Sequence, residues 1–125
     1  MPKARVTKAE LQILEQLWTL KRASVREIQE SLPEKKRPAY TTVQTLVSRL
    51  EEKGVVRRAK KIGNAHVFEP VLTQTAVHRR FVSDLLDIFG GSAATLVSHL
   101  VETGKLTLED MREVERTLER MERKS

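Results

Sequence analysis

Short polar side chains recur in residues 38–54 at spacings that a helix would align. At about 100° per residue, Thr41, Thr45 and Ser48 fall on one side, and Gln44 flanks them. Their hydroxyl and amide groups can exchange hydrogen bonds with base edges, and short side chains let a helix approach closely. A merely solvated helix would usually alternate Lys and Glu. The pattern is compatible with a solvated helix of poor propensity or with a helix that reads the DNA major groove, and the flanking chain has to decide between them.

The opposite side of this helix is apolar and predicts a buried face, formed by Val43, Leu46, Val47 and Leu50. Pro38 suits the entrance of a helix, because its fixed φ is compatible with the first turn. Gly54 suits the left-handed position just past a helix end. The two residues set the expected limits of the reading helix.

Two capped helices are predicted before the reading helix. Thr7 and Glu10 form a capping box, and the helix runs to about Leu20. Its predicted buried stripe consists of Leu11, Leu14, Leu17 and Trp18. Ser24 and Glu27 form a second box. The short helix after it turns Val25, Ile28 and Leu32 inward and stops before Pro33.

A basic hairpin is predicted in residues 55–69, with a turn at Gly63 and Asn64. It carries four positive charges: Arg57, Arg58, Lys60 and Lys61. Such charges can protect a sheet edge from aggregation, but their place directly after the reading helix favours contacts with phosphate. Three helices followed by a hairpin are the layout of a winged helix-turn-helix, so the fold class is mainly α.

The C-terminal part, residues 71–125, predicts three apolar helices that are difficult to bury in so short a segment. We therefore expect a helical dimerisation domain after a winged-helix domain (7–70) and a basic tail (1–6). Its predicted contact residues are Phe81, Leu85, Phe89, Leu96, Leu100, Met111, Val114, Leu118 and Met121, and the last four form a coiled-coil-like seam. The alternative is a single monomeric domain in which these helices pack back on the winged helix.

Charge and composition agree with this division. Residues 1–72 hold 15 Lys and Arg against 8 Asp and Glu, a formal charge of +7, whereas residues 73–125 hold 8 against 9, a charge of −1. The chain has no Cys, which excludes disulfides and thiolate sites. No long apolar run or leader is present, so we expect a cytoplasmic protein without membrane insertion.

Several stretches together resemble the penicillinase repressor family (the BlaI and MecI type, grouped with copper-responsive repressors of the CopY type). They are LQILEQLW, YTTVQTLVSRLEEKGVV, FEP, LLDIFGGS and LVSHLVE, and the resemblance covers residues 7–120. It implies a homodimeric repressor that binds a palindromic operator of double-stranded DNA and controls a resistance or stress operon.

Individual DNA contacts follow from the helical face and the resemblance together. The predicted base contacts are Thr41, Gln44, Thr45 and Ser48. The predicted backbone contacts are Arg37, Thr42, Arg49, Lys53, Lys60, Lys61 and His66. Asn64 also matches the family's phosphate-contacting hairpin.

Two departures from the family limit what carries over. Copper-responsive members end in a cysteine-rich site, which a chain without Cys cannot form. In the β-lactam-responsive branch a membrane sensor protease cuts an Asn–Phe bond, and the matching residues here are His99 and Leu100. The surroundings resemble the family, but the cleaved pair does not.

No catalytic or metal constellation is predicted, and no cofactor is expected. His66, His78 and His99 lie far apart along the chain, and no nucleophile has a base at a suitable spacing. The chain is therefore predicted not to be an enzyme. Two alternatives stay open: a winged-helix regulator that responds to a small molecule, and a winged helix used for protein interaction.

Overall fold

The computed structural model describes residues 5–124, so residues 1–4 of the predicted basic tail lie outside the described residues. Within this range the chain forms six helices and one antiparallel hairpin. The elements are α1 (Lys8–Leu20), α2 (Val25–Ser31), α3 (Tyr40–Glu52), β1 (Val56–Ile62), β2 (Ala65–Pro70), α4 (Gln74–Ile88), α5 (Ala93–Glu102) and α6 (Leu108–Lys124).

Capping boxes begin α1 and α2, as predicted. The Thr7 hydroxyl accepts from the backbone N–H of Glu10 at 3.2 Å, and the Glu10 carboxylate accepts from the N–H of Thr7 at 2.8 Å. Ser24 and Glu27 make the same reciprocal pair at 3.2 and 2.9 Å. These bonds satisfy amides that the first helical turn leaves without partners.

The core of the N-terminal part forms around the apolar face of α3. All four predicted residues of that face are buried, and they pack with Leu14 and Leu17 of α1 and Ile28 of α2. Each such side chain contributes roughly 1.5–3 kcal/mol when it is removed from water. The predicted stripe of α1 needs correction, because Leu11 and Trp18 are only partly buried and Ile13 is fully buried instead.

The hairpin is joined to the helices by a backbone bridge that the sequence did not indicate. Ala23, between α1 and α2, exchanges two backbone hydrogen bonds with Phe68 of β2, at 3.0 and 2.8 Å. The register of β1 and β2 shifts between Arg58 and Lys60, so the strand bends there. Buried Val67 and Phe68 complete the attachment of the hairpin to the core.

The chain divides into two compact units, Met1–Arg79 and Arg80–Ser125. The division lies inside α4 rather than before it, since Val77 is buried with the N-terminal unit. Trp18 fixes the chain just before α4, because its indole N–H donates to the carbonyl of Leu72 at 3.0 Å.

The C-terminal unit contrasts with the first, since none of its described side chains is buried. Ser92 and Thr107 begin α5 and α6 as predicted, with their side chains accepting from backbone amides at 3.1 Å. Among the described residues, no single helix is long and apolar enough to cross a membrane. α4 and α5 reach that length and composition only as a pair, and they meet at a bend of 91°.

A buried ion pair joins the start of α1 to the end of α3. Glu10 is 1% exposed, and the Lys53 ammonium donates to its Oε1 at 2.6 Å. Burial raises the pKa of Glu10, but the hydrogen bond and charge of Lys53 and the bonds from Thr7 outweigh it, so the pKa lies below its ordinary value. The sequence identified Glu10 as a capping residue but gave no signal for this second role.

We expect Glu10→Gln to lower the free energy of unfolding by about 1–2 kcal/mol at neutral pH, because Lys53 loses its ionic partner. The pKa of Glu10 is lowered from 4.5 in the folded chain. The ionised carboxylate therefore stabilises the fold above that pH, and the contribution is lost as the pH falls through the folded-state pKa. Denaturant unfolding followed by Trp18 fluorescence at several pH values measures the difference.

The matched control for this prediction is Glu15→Gln, which removes an exposed carboxylate from the same helix. An equal loss of stability in both variants, or a difference that persists in strong acid, would show that the Glu10–Lys53 pair does not tie the two helices.

Candidate nucleic-acid interface

The outer face of α3 is polar and open to solvent along its length. Thr41, Gln44, Thr45 and Ser48 are all exposed, as is Thr42 beside them. The hydroxyl of Thr45 donates to the carbonyl of Thr41 at 3.0 Å, which leaves its oxygen lone pairs as acceptors. The structure thus brings the four predicted base-contacting residues onto one accessible surface.

The connection before α3 is fixed by side chains that bond to the backbone. Arg37 donates from Nε and Nη2 to the carbonyl of Leu32 at 3.0 and 2.6 Å, and from Nη2 to that of Glu30 at 2.9 Å. Gln29 of α2 donates to the carbonyl of Pro38 at 3.1 Å. Arg37 was predicted as a phosphate contact, but these bonds show that its guanidinium closes the end of α2.

Lys53 at the other end of α3 is also held within the fold. Besides its bond to Glu10, its ammonium donates to the carbonyl of Arg5 at 2.8 Å, and the side chain is 23% exposed. Two of the three donors of the ammonium are therefore engaged within the unit, and the buried carboxylate of Glu10 balances its charge. The phosphate contact predicted for Lys53 would have to use the remaining donor.

The base of the hairpin carries a second internal ion-pair cluster. Arg57 and Arg22 donate to the two oxygens of Glu69, at 2.9 and 3.1 Å. The hydrogen bond from Arg57 is the main cause that lowers the pKa of Glu69, with a further bond from Arg22. Glu69 thus draws two cations toward the base of the hairpin.

Arg58 spans from the hairpin to α3. Its Nε forms an ion pair with Glu51 Oε2 at 2.9 Å, and its Nη1 lies 3.2 Å from His66 Nε2. Its guanidinium also stands 6.0 Å from the centroid of the Phe68 ring. His66, predicted as a backbone contact, is therefore half-buried beside Arg58.

An open groove of about 500 Å³ lies between α3 and the hairpin. Gln44, Ser48 and Glu51 line its helix side, one turn apart, and Arg58 and His66 line its hairpin side. We call these five residues and the space between them the recognition groove. It places the candidate base-reading side chains of Gln44 and Ser48 opposite Arg58 and His66 of the hairpin.

Three predicted phosphate ligands keep free charges. Arg49 on α3 and Lys60 and Lys61 on β1 are exposed, and none forms an ion pair with any of residues 5–124. The two lysines lie near the tip of the hairpin, before the turn at Gly63. Exposed ammonium and guanidinium groups on two neighbouring elements can contact a polyanion without first breaking an internal bond.

Sequence reasoning did not identify two features of this surface. Arg26 of α2 lies 5.8 Å from the ring centroid of Tyr40, at the edge of the recognition groove. Glu51 occupies the groove side of α3, one turn after Ser48. The helical spacing of Gln44, Ser48 and Glu51 could have revealed the latter. The partner of each side chain depends on the tertiary structure.

The chemistry available here is hydrogen bonding and charge attraction. Among the described residues, no group of three or more His, Asp or Glu side chains could hold a metal ion. The pKa values that are shifted belong to Glu10 and Glu69, both in structural ion pairs. The surface combines polar side chains that can address base edges with cations that can address phosphates.

Comparison with known proteins gives a family and a fold. The sequence model of the penicillinase repressor family matches residues 6–120. The solution structure of the DNA-binding domain of the repressor BlaI is similar, with a TM-score of 0.50 at 24% identity, covering 59% of this chain and 87% of that one. At this identity the likeness concerns the fold, and it confirms the predicted winged helix. No curated protein matches the sequence.

Proposed function

The chain belongs to the penicillinase repressor family, and we propose that this winged-helix transcriptional repressor acts as a homodimer on a palindromic operator. As a repressor it is not an enzyme. We further propose that it works in the cytoplasm and controls a resistance or stress operon. The observation that carries the proposal is the exposed polar face of α3, with free cations beside it on Arg49, Lys60 and Lys61.

In this proposal α3 enters the major groove and its outer face contacts base edges. Gln44 can make a bidentate pair with adenine, and the methyl groups of Thr41 and Thr45 can contact that of thymine. Ser48, whose hydroxyl both donates and accepts, adds contacts with little selectivity. Because these side chains are short, a single copy of α3 should discriminate only modestly between base sequences.

The proposed phosphate contacts are a revised set. We retain Arg49, Lys60 and Lys61, whose charges are free, and Thr42, whose hydroxyl is exposed at the side of α3. Arg37 instead closes the end of α2, and Lys53 ties the end of α3 to Glu10 of α1. The groove position of His66 makes it a neighbour of the DNA backbone rather than a separate charged contact.

The exposed apolar surface of the C-terminal unit supports the dimer. Ile88 of α4 is 77% exposed, and the seam of α6 is exposed along its whole length: Met111, Val114, Leu118 and Met121. Helices with such a stripe bury it against another helix. The predicted contacts from α4 and α5, Phe81, Leu85, Phe89, Leu96 and Leu100, extend the same proposed interface. The dimer would set two α3 helices about one DNA turn apart, roughly 34–36 Å or more.

The proposed division between reading and positioning residues gives the first test. Gln44→Ala should cost about 1–3 kcal/mol on the preferred operator and little on unrelated duplexes, because a base contact is lost. Lys60→Gln should weaken binding to all duplexes alike and lower the slope of log affinity against log salt by about 0.9, because one phosphate contact is lost. Fluorescence anisotropy titrations at several salt concentrations measure both.

Arg57→Gln is the control for Lys60→Gln, since it removes the same charge from the same strand but from a side chain held by Glu69. Its salt slope should stay near that of the wild type. If Gln44→Ala and Lys60→Gln act equally on every sequence, the division is wrong. If the wild type binds no duplex even at low salt, the DNA-binding proposal fails and a role in protein interaction takes its place.

The dimer is tested by mass in solution. Light scattering should give 28.6 kDa, twice the 14.3 kDa of one chain, and Leu118→Gln should shift the mass toward the monomer at micromolar concentration, because a seam contact loses its apolar side chain. The control is Arg116→Gln, a residue of the same helix outside the apolar seam. A monomeric wild type, or equal dissociation of both variants, would contradict this interface.

A membrane sensor protease is the further partner that the family resemblance suggests. The His99–Leu100 bond lies inside α5, and the carbonyl of His99 accepts from the hydroxyl and the amide of Thr103, both near the helix end. Cleavage there requires local unwinding of α5. After incubation with a cognate sensor protease, intact-mass analysis should show a fragment of roughly 11 kDa, in proportion to 99 of 125 residues. An uncut chain would remove proteolysis at this bond from the proposal.

A further inference from the structure

The recognition groove contains a carboxylate on the surface that the proposed function turns toward a polyanion. Glu51 lies on the same side of α3 as Gln44 and Ser48, and its side chain is one-third exposed. A negative charge at this place opposes DNA binding, both by repulsion and by holding a cation. Solubility alone therefore does not explain why the carboxylate of Glu51 lies in the recognition groove.

The partner of Glu51 is the one groove cation whose guanidinium is held from three sides. Arg58 Nε forms an ion pair with Glu51 at 2.9 Å, Nη1 lies 3.2 Å from His66, and the guanidinium carbon lies over the ring of Phe68, 6.0 Å from its centroid. Its side chain is nevertheless 52% exposed. It thus lines the recognition groove between α3 and the hairpin, while Glu51 already balances its charge.

We propose that Glu51 restrains the DNA affinity of this repressor by holding Arg58 away from the phosphates. The inference rests on the proposed function, because it concerns the same DNA surface. The Glu51–Arg58 pair presents no net charge in the recognition groove, and the phosphates are then contacted by Arg49, Lys60 and Lys61. Fewer charge contacts weaken binding to all sequences alike and leave a larger share of the affinity to base reading.

Replacement of the carboxylate by its amide isolates this effect. Glu51→Gln keeps the size of the side chain but releases the charge of Arg58 to the DNA. Binding to an unrelated duplex should tighten about three-fold near 0.1 M salt, and the salt slope should steepen by about 0.9, the value for one phosphate. Glu52→Gln is the matched control. It removes the same charge from the next residue, which is exposed and forms no ion pair with any of residues 5–124.

Arg58→Gln in two backgrounds distinguishes restraint from simple repulsion. In the wild type this change should leave the salt slope nearly unchanged, because Arg58 contacts no phosphate there, although the unbalanced charge of Glu51 should weaken binding to all duplexes. In the Glu51→Gln background it should reduce the slope by about 0.9, back to that of the wild type. Thermal unfolding of each variant verifies that the fold is retained, since the pair lies at the surface.

Two results would overturn the restraint while leaving the DNA-binding proposal intact. One is a tightening by Glu51→Gln that is no larger than that by Glu52→Gln. The other is an equal loss of slope on Arg58→Gln in both backgrounds, which would mean that Arg58 already contacts phosphate in the wild type. A wild type without any salt-dependent duplex binding would overturn both proposals and is recognised before any variant is compared.

Discussion

The orientation of the candidate DNA-binding surface depends on the burial of one apolar stripe on α3. Because Val43, Leu46, Val47 and Leu50 must leave water, the helix can present only its other side to solvent. Rotation of the helix by a single residue would expose part of this stripe and turn the Thr and Gln side chains away. The orientation of the candidate reading face is thus set by hydrophobic burial rather than by contacts made on that face.

Polar interactions then fix the two ends of the helix that burial has oriented. Gln29 holds the entrance at Pro38, and Arg37 closes the preceding helix. Lys53 joins the far end of α3 to the start of α1 through Glu10. These residues carry charge or hydrogen-bonding groups that sequence patterns assign readily to DNA. The formal charge of +7 on residues 1–72 therefore does not show which cations are free to meet phosphates, since Arg22, Lys53, Arg57 and Arg58 already pair with carboxylates of the fold.

The parts of the fold that depend on local sequence were predictable. Capping boxes at Thr7 and Ser24, the apolar period of α3 and the turn at Gly63 each record a preference of a few neighbouring residues. The bridge between Ala23 and Phe68 joins residues 45 positions apart, and the pairing of Glu51 with Arg58 joins the last turn of α3 to a strand across the intervening turn, so no periodicity encodes either contact. For the same reason the sequence could suggest which cations are available for DNA but not which ones the fold retains.

The two units divide the proposed work, with the first offering a polar reading surface and the second an apolar surface that a partner chain can cover. The most direct test of this account is selection of duplexes bound by the full chain from a random pool, followed by sequencing. The account predicts enrichment of an inverted repeat whose half-site centres lie about one DNA turn or somewhat more apart. Enrichment of a single asymmetric site, or no enrichment, would contradict it.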